Sequence, residues 1–326
     1  EIDTVSASTA GDMILTSAAA ITDTDGNSMV TADALNFTAT GAVGSAANQL
    51  NTTVTELLSG SSTGAGGIYL NEADAVILTG VSNTNGLIDI VAGGQITAVS
   101  VAATGGTDTD DILLTTSAGD IEVGTVNATP GGDVTLTSAA AITDTDGNSA
   151  VTADDLSFTA AGSVGSSTNR LNTTVSEILS GTSTAGGGIY LNESDTIALT
   201  SVSNAVGLID IAAGGQITAV NVAATGGTDA DDIFLETTAG DIEIDSVSAT
   251  PAGDVVLTSA AAITDTDGNS MVTADALSFS ATTSVGSAAN RLNTTATEVL
   301  SGSSTGAGDM YINEADAVIL TGVSIT

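Results

Sequence analysis

Residues 11–28 read GDMILTSAAAITDTDGNS. The stretch returns as GDVTLTSAAAITDTDGNS at 132–149 and as GDVVLTSAAAITDTDGNS at 253–270. Both offsets are 121 residues, and self-similarity at a fixed period marks an array of stacked units. The units run over residues 11–131, 132–252 and 253–326, the last of them partial. Residues 1–10 (EIDTVSASTA) match 243–252 (EIDSVSATPA), and 310–326 match 68–84, so the sequence starts and stops inside repeats. One continuous array over residues 1–326 is expected, as a segment of a longer protein. Its end coils would then offer unpaired backbone groups to the next coil or the next copy.

Within a unit the rhythm is that of short aliphatic strands, at 13–15, 35–37, 54–57, 68–70, 76–78, 87–90, 96–101, 112–114 and 121–126. Gly, Asn, Asp and Ser punctuate them, as turn residues do. The repeats also show which way side chains face. Positions 13, 134 and 255 are Met, Val and Val, and 15, 136 and 257 are all Leu, while 14, 135 and 256 between them are Ile, Thr and Val. Side chains alternate along a strand, so the variable middle position faces out and its neighbours face in. Helical periodicity is poor, and residues 52–58 (TTVTELL) are the one stretch open to a turn of helix. The pattern predicts an all-β protein, a parallel β-helix (solenoid) with about 20 residues per coil and about six coils per unit. Parallel crossovers are almost always right-handed, so a right-handed coil is expected.

The stretches VGSAANQLNTTVTELLSG (43–60), GGIYLNEADAVILTGV (66–81) and GDMILTSAAAITD (11–23) resemble repeats of filamentous-haemagglutinin-like bacterial surface adhesins. The resemblance extends over essentially the whole chain. It implies a right-handed β-helical shaft, exported and displayed at the cell surface, that acts mainly as a passive spacer.

Composition limits the functions open to such a shaft. Two arginines, Arg170 and Arg291, stand against 39 acidic residues, a formal net charge of −37. That field repels nucleic acid and anionic membranes and gathers cations. A charged fraction of only 13%, against 42% hydrophobic, separates the chain from acidic disordered tails. No apolar run approaches the roughly 18 residues of a membrane span, so membrane insertion is not expected. Cysteine, histidine and lysine are absent, which removes the usual nucleophiles and bases.

Several acidic motifs invite a closer look. Asp23, Asp25 and Asn27, with Asp144, Asp146 and Asn148 and with Asp265, Asp267 and Asn269, place alternating oxygen ligands before a Gly turn, as in the first half of a calcium loop. No closing bidentate Glu follows, and the same residues suit a tight turn in which Asp and Asn bond the local backbone. GGTDTDDIL (105–113) and GGTDADDIF (226–234) partly match the calcium nonapeptide of β-rolls, but they do not occur in tandem. The pairs Glu72 and Asp74, Glu193 and Asp195, and Glu314 and Asp316 have the composition of acid–base carboxylates. Near-identical copies argue against a unique active site, and the protein reads as a non-enzyme. Asn51, Asn172 and Asn293 each precede Thr-Thr, the glycosylation pattern, and also suit corner positions. Thr-x-Thr pairs such as Thr22 and Thr24 do not recur at coil length, so no ice-binding face is expected.

The sequence thus points to a structural repeat shaft of an extracellular filament, sheath or cell-surface adhesin. Its partners would be copies of itself or the continuation of its own chain, and it needs no cofactor. Outward apolar positions such as Ile14 and Val256 add an expectation of sideways packing. The alternative is a calcium-dependent adhesive or binding module, in which Ca²⁺ on the acidic loops bridges chains or cell-surface glycans.

Overall fold

Alternation of one inward and one outward side chain governs most strands of the computed structural model, which describes residues 1–7, 10–306 and 308–325. Thr326, where the sequence breaks off within a repeat, lies outside them. The described chain is all-β without helix, its parallel strands stacked as a β-solenoid of about 14 turns of roughly 22 residues. Residues 52–58 belong to the strand Leu50–Ser62 rather than to a helical turn. Their β-branched side chains fit the pleat. Turns are longer than the 20 residues expected because loops are inserted at the corners. Ile68 pairs with Ile88, twenty residues on, whereas Ile88 pairs with Ile112, twenty-four residues on, past the loop at 104–111.

Two compact units, residues 1–161 and 162–326, are built alike. In the first, one side of the coil is a file of five-residue strands, Ile68–Glu72, Ile88–Ala92, Ile112–Thr116 and Val134–Ser138. Ile68, Ile88, Ile112, Val134 and Leu156 stack in register at its edge. The second side stacks Val76, Ile96, Ile121 and Ile142, and beside them Val81, Val101, Val126 and Val151. All of these residues are buried. The outward position expected at Ile14 is confirmed, with 75% of its surface exposed beside buried Met13.

Turn and repeat are out of step. At roughly 22 residues per turn, 121 residues make about five and a half turns, so equivalent residues of successive repeats fall on different sides. Met13 stacks through Leu35 and Leu57 onto Leu78 of the second side, while its equivalent Val134 stands on the first. Ile21 stacks through Val43 onto Ile68 of the first side, while Ile142 stands on the second. The second unit repeats the exchange. Val164 stacks on Ile189, in the file of Ile209, Ile233 and Val255, but its equivalent Val285 stacks on Ile263, in the file of Ile197, Ile217 and Ile242.

The change of side needs a local adjustment. Pairing between Met29–Ala39 and Leu50–Ser62 slips by one residue after Leu35, which brings Gly60 opposite Phe37. A Cβ on Gly60 would lie 2.5 Å from the Phe37 ring, and one on Gly302 would lie 2.4 Å from Phe279. Only glycine leaves room there for the largest side chains of the core. Gly60→Ala is therefore expected to lower unfolding stability by about 1–3 kcal/mol, as overpacking does, and Phe37→Leu in the same chain should recover part of the loss. Chemical denaturation of the single and double variants checks both. A neutral Gly60→Ala would show that the Phe37 ring does not rest on this glycine.

Candidate functional site

The acidic turn that recurs in each repeat is closed by its own first carboxylate. Asp23 is only 4% exposed. Its Oδ1 accepts from the Gly26 N–H at 2.7 Å and the Asp25 N–H at 3.3 Å, and its Oδ2 from the Ser28 N–H at 3.0 Å. Gly26, with φ of 77°, takes the left-handed conformation that lets the chain wrap around the carboxylate. Asp144 accepts from Gly147 and Ser149 at 2.7 and 3.0 Å, and Asp265 from Gly268 and Ser270 at 2.6 and 3.0 Å. Burial alone would raise the Asp23 pKa, but hydrogen bonds from Ser28, Gly26 and Asp25 outweigh it and lower the value to about 2. Asp144 and Asp265 are shifted down by the same balance.

The other predicted ligands lie on the rim of the turn. Asp25, Asp146 and Asp267 are exposed and accept the N–H of Asn27, Asn148 and Asn269 at 3.1, 3.0 and 2.9 Å. Thr24, Thr145 and Thr266 donate to the carboxylates of Glu1, Glu122 and Glu243. Among the described residues no three carboxylates converge in the manner of a metal centre. The inner Asp of each turn holds backbone N–H groups, and only the outer Asp and Asn are presented to solvent.

The second acidic motif has the same logic. Asp110, 1% exposed, accepts from the Thr107 N–H and Oγ1 at 2.7 and 2.6 Å, and from the Gly86 N–H of the preceding coil at 2.5 Å. Asp231 binds Thr228 and Gly207 in the same way. Burial acts to raise both pKa values, and the hydrogen bonds reverse it, so both carboxyls stay below the usual range.

Glu72 and Asp74 face opposite ways, Asp74 being exposed. Glu72 points inward and is 2% exposed. It accepts from Thr52 Oγ1 at 2.7 Å and from the Val54 N–H at 3.1 Å, and the Asp74 N–H donates to it at 3.3 Å. The strand Leu50–Ser62 runs on where the coil above breaks after Glu72, and the carboxylate supplies the acceptor that Val54 would otherwise lack. Glu193 serves Thr173 and Val175, and Glu314 serves Thr294 and Ala296. Burial raises the pKa of Glu72 and Glu193, only partly offset by these donors. Asn83 and Asn204, which belong to no recognisable motif, are wholly buried. Asn83 donates to the Gly66 and Leu87 carbonyls and accepts from the Asn85 N–H.

The asparagines of the Asn-Thr-Thr pattern stand in short outward rows. Asn71 Nδ2 donates to Asn51 Oδ1 at 2.7 Å, and Asn51 Nδ2 donates to the Gly26 carbonyl at 3.3 Å. The two cations are committed to their surroundings. Arg170 donates to the Asp210 carboxylate at 2.5 Å and to the Leu191 and Asp210 carbonyls, and Arg291 lies 5.7 Å from the centre of the Tyr311 ring. Comparison of the chain with protein-family models, curated proteins and solved structures finds no match.

The titrating groups give stability a two-sided pH dependence. Carboxyls with lowered pKa stabilise the fold above the unfolded value of about 4 and lose that contribution as the pH falls through their folded values. Carboxyls with raised pKa, Glu72 and Glu193 by burial and Asp133 and Asp254 by burial with repulsion from neighbouring aspartates, favour folding at low pH and oppose it as they ionise. Melting temperature should therefore rise from pH 7 to about 5 and fall below about 4. Glu72→Gln should flatten the upper limb. Asp144→Asn should cost about 1–3 kcal/mol at pH 7 by weakening the acceptor of two buried N–H groups, and flatten the lower limb. A melting temperature that only falls from pH 7 downward would contradict this assignment.

Proposed function

We propose that the protein is the repeat shaft of a bacterial extracellular filament, sheath or surface adhesin, working through length, stiffness and self-association. One observation carries the reading. The buried polar residues of the repeats are spent within the fold, and among the described residues no buried side-chain nitrogen or oxygen lacks a partner. Asp23 closes its turn, Asp110 ties one coil to the next, and Glu72 fills a gap in the ladder. Such a pattern favours a regular rod over a reactive pocket. The resemblance of the repeats to filamentous-haemagglutinin-like adhesins points the same way. Exposed apolar residues such as Ile14 offer sideways contacts between shafts once cations screen the −37 charge.

The competing reading is a calcium-dependent adhesive module, favoured by the outward carboxylates of Asp25, Asp146 and Asp267. Salt distinguishes the two. Charge screening acts over roughly 10 Å at 0.1 M salt, so melting temperature and fibre length should increase with NaCl. For a shaft, CaCl₂ at matched ionic strength adds nothing further, and EDTA leaves stability unchanged. Electron microscopy should then show filaments of uniform width. A large loss of stability in EDTA, abolished by Asp25→Ala with Asp146→Ala and Asp267→Ala, would favour the calcium module. Strictly monomeric protein at high concentration and high salt would refute the shaft.

A further inference from the structure

We propose that the asparagine row beside the first acidic turn is a binding groove for a neutral polysaccharide. Two adjoining surface hollows, of about 230 and 340 Å³, share Gly26, Asn51 and Asn71. On a chain with 39 acidic residues, neither hollow is lined by a carboxylate or by a cation. The lining is carboxamide, hydroxyl and backbone, with small aliphatic flanks.

Hydrogen bonding within the row fixes how the amides face. Asn48 Nδ2 donates to the Thr24 carbonyl at 2.9 Å, Asn51 Nδ2 to the Gly26 carbonyl, and Asn71 Nδ2 to Asn51 Oδ1. Asn71 has thus turned one donor into the row, and its Oδ1 accepts no hydrogen bond from the described residues. Asn27, on the other bank of the larger hollow, is also exposed. An acceptor and a free amide, both uncharged, match the vicinal hydroxyls of a sugar, each of which donates and accepts. Exposed Ala46 and Ala47 flank one hollow, and Ala73 and Met29, the latter 44% exposed, flank the other. Their aliphatic surface suits the C–H face of a sugar ring. The field of the whole protein opposes anionic glycans, which leaves a neutral one as the matching class.

The paired asparagines recur in the later repeats, where Arg170 and Arg291 take the place of Gln49. Asn192 donates to Asn172 at 2.8 Å and Asn313 to Asn293 at 2.8 Å. Asn293 donates in turn to the Gly268 carbonyl and Asn290 to that of Thr266, with Met271 exposed beside them. This site is independent of the shaft reading, since it requires only the local coil geometry.

Saturation-transfer NMR on the full chain tests the proposal, with cellohexaose, maltohexaose and mannohexaose as neutral probes and hexagalacturonate as the anionic one. Transfer to ring protons of at least one neutral hexasaccharide is expected, and none to hexagalacturonate. Asn71→Ala with Asn192→Ala and Asn313→Ala removes the outer amide of each row and should weaken binding by about tenfold. Ala46→Glu with Ser167→Glu and Ala288→Glu leaves the rows intact and places a carboxylate in each groove. It should weaken binding comparably while circular dichroism stays native, and it decides the matter if the alanine variant fails to fold. Absence of transfer from all three neutral probes, transfer unaltered in a folded variant, or binding of hexagalacturonate or of a peptide pool alone would each overturn the proposal.

Discussion

The structure depends on hydrogen bonds between backbone groups about one coil apart in sequence. Within the first unit the Ile68 N–H donates to the Leu87 carbonyl at 2.8 Å, the Ile88 N–H to that of Asp111 at 2.8 Å and the Ile112 N–H to that of Asp133 at 2.8 Å. Each coil therefore covers the polar backbone of the one below it and presents the same need to the one above. Like side chains stack because the ladder holds them in register, and a largely aliphatic core, with the rings of Phe37, Phe158 and Phe279 buried in it, suffices because each layer is thin. At two interruptions of the ladder a side chain stands in. Glu72 accepts from Val54, and Asp110 accepts from Gly86, so these two buried carboxylates serve backbone groups of a neighbouring coil.

The half-turn mismatch between repeat and coil constrains the sequence in a second way. The same residues must serve on both sides of the solenoid. Val134–Ser138 is an unbroken strand on the first side, whereas the equivalent residues Met13–Ser17 stack toward the side that, one coil past Leu50–Ser62, divides into the short strands Val76–Leu78 and Val81–Asn83. Small residues make this tolerable. Alanine and serine fit either environment, and glycine opposite Phe37 absorbs the slip. A consequence is that the acidic turns of Asp23 and Asp144 project from different sides of the first unit. A partner that recognises this turn would meet these two copies on different sides, about five and a half coils apart.

Much of this was legible in the sequence, because parity is legible. In IYLNE at 68–72 the inward Ile68 and Leu70 put Glu72 inside by simple alternation, although its composition drew attention as half of an acid pair. VSN at 81–83 likewise puts Asn83 inside, and its three-residue strand is too short to announce itself. The role of Asp23 in its own turn was open to sequence reasoning, since an Asp followed by Gly at the third position is suited to accept local N–H groups. Coil length and phase were not legible. They depend on how many residues each corner loop extrudes, and the loops at 22–28, 44–49 and 104–111 add to the coil without leaving a periodic signal. The row of Asn51 and Asn71 was equally hidden, because it joins residues one coil apart.

The central claim is that contacts follow the coil and not the distance along the chain. The protein has no cysteine, so nitroxide labels can be placed at will. Asp89 and Leu113 are outward partners on adjacent coils, whereas Asp89 and Val99 are nearer in sequence but stand on different sides. Continuous-wave EPR of the Asp89→Cys, Leu113→Cys pair should show strong dipolar broadening, since adjacent strands lie about 4.8 Å apart. The Asp89→Cys, Val99→Cys pair should show little, because two layers roughly 10 Å apart intervene. Broadening in the second pair and not in the first would contradict the coil.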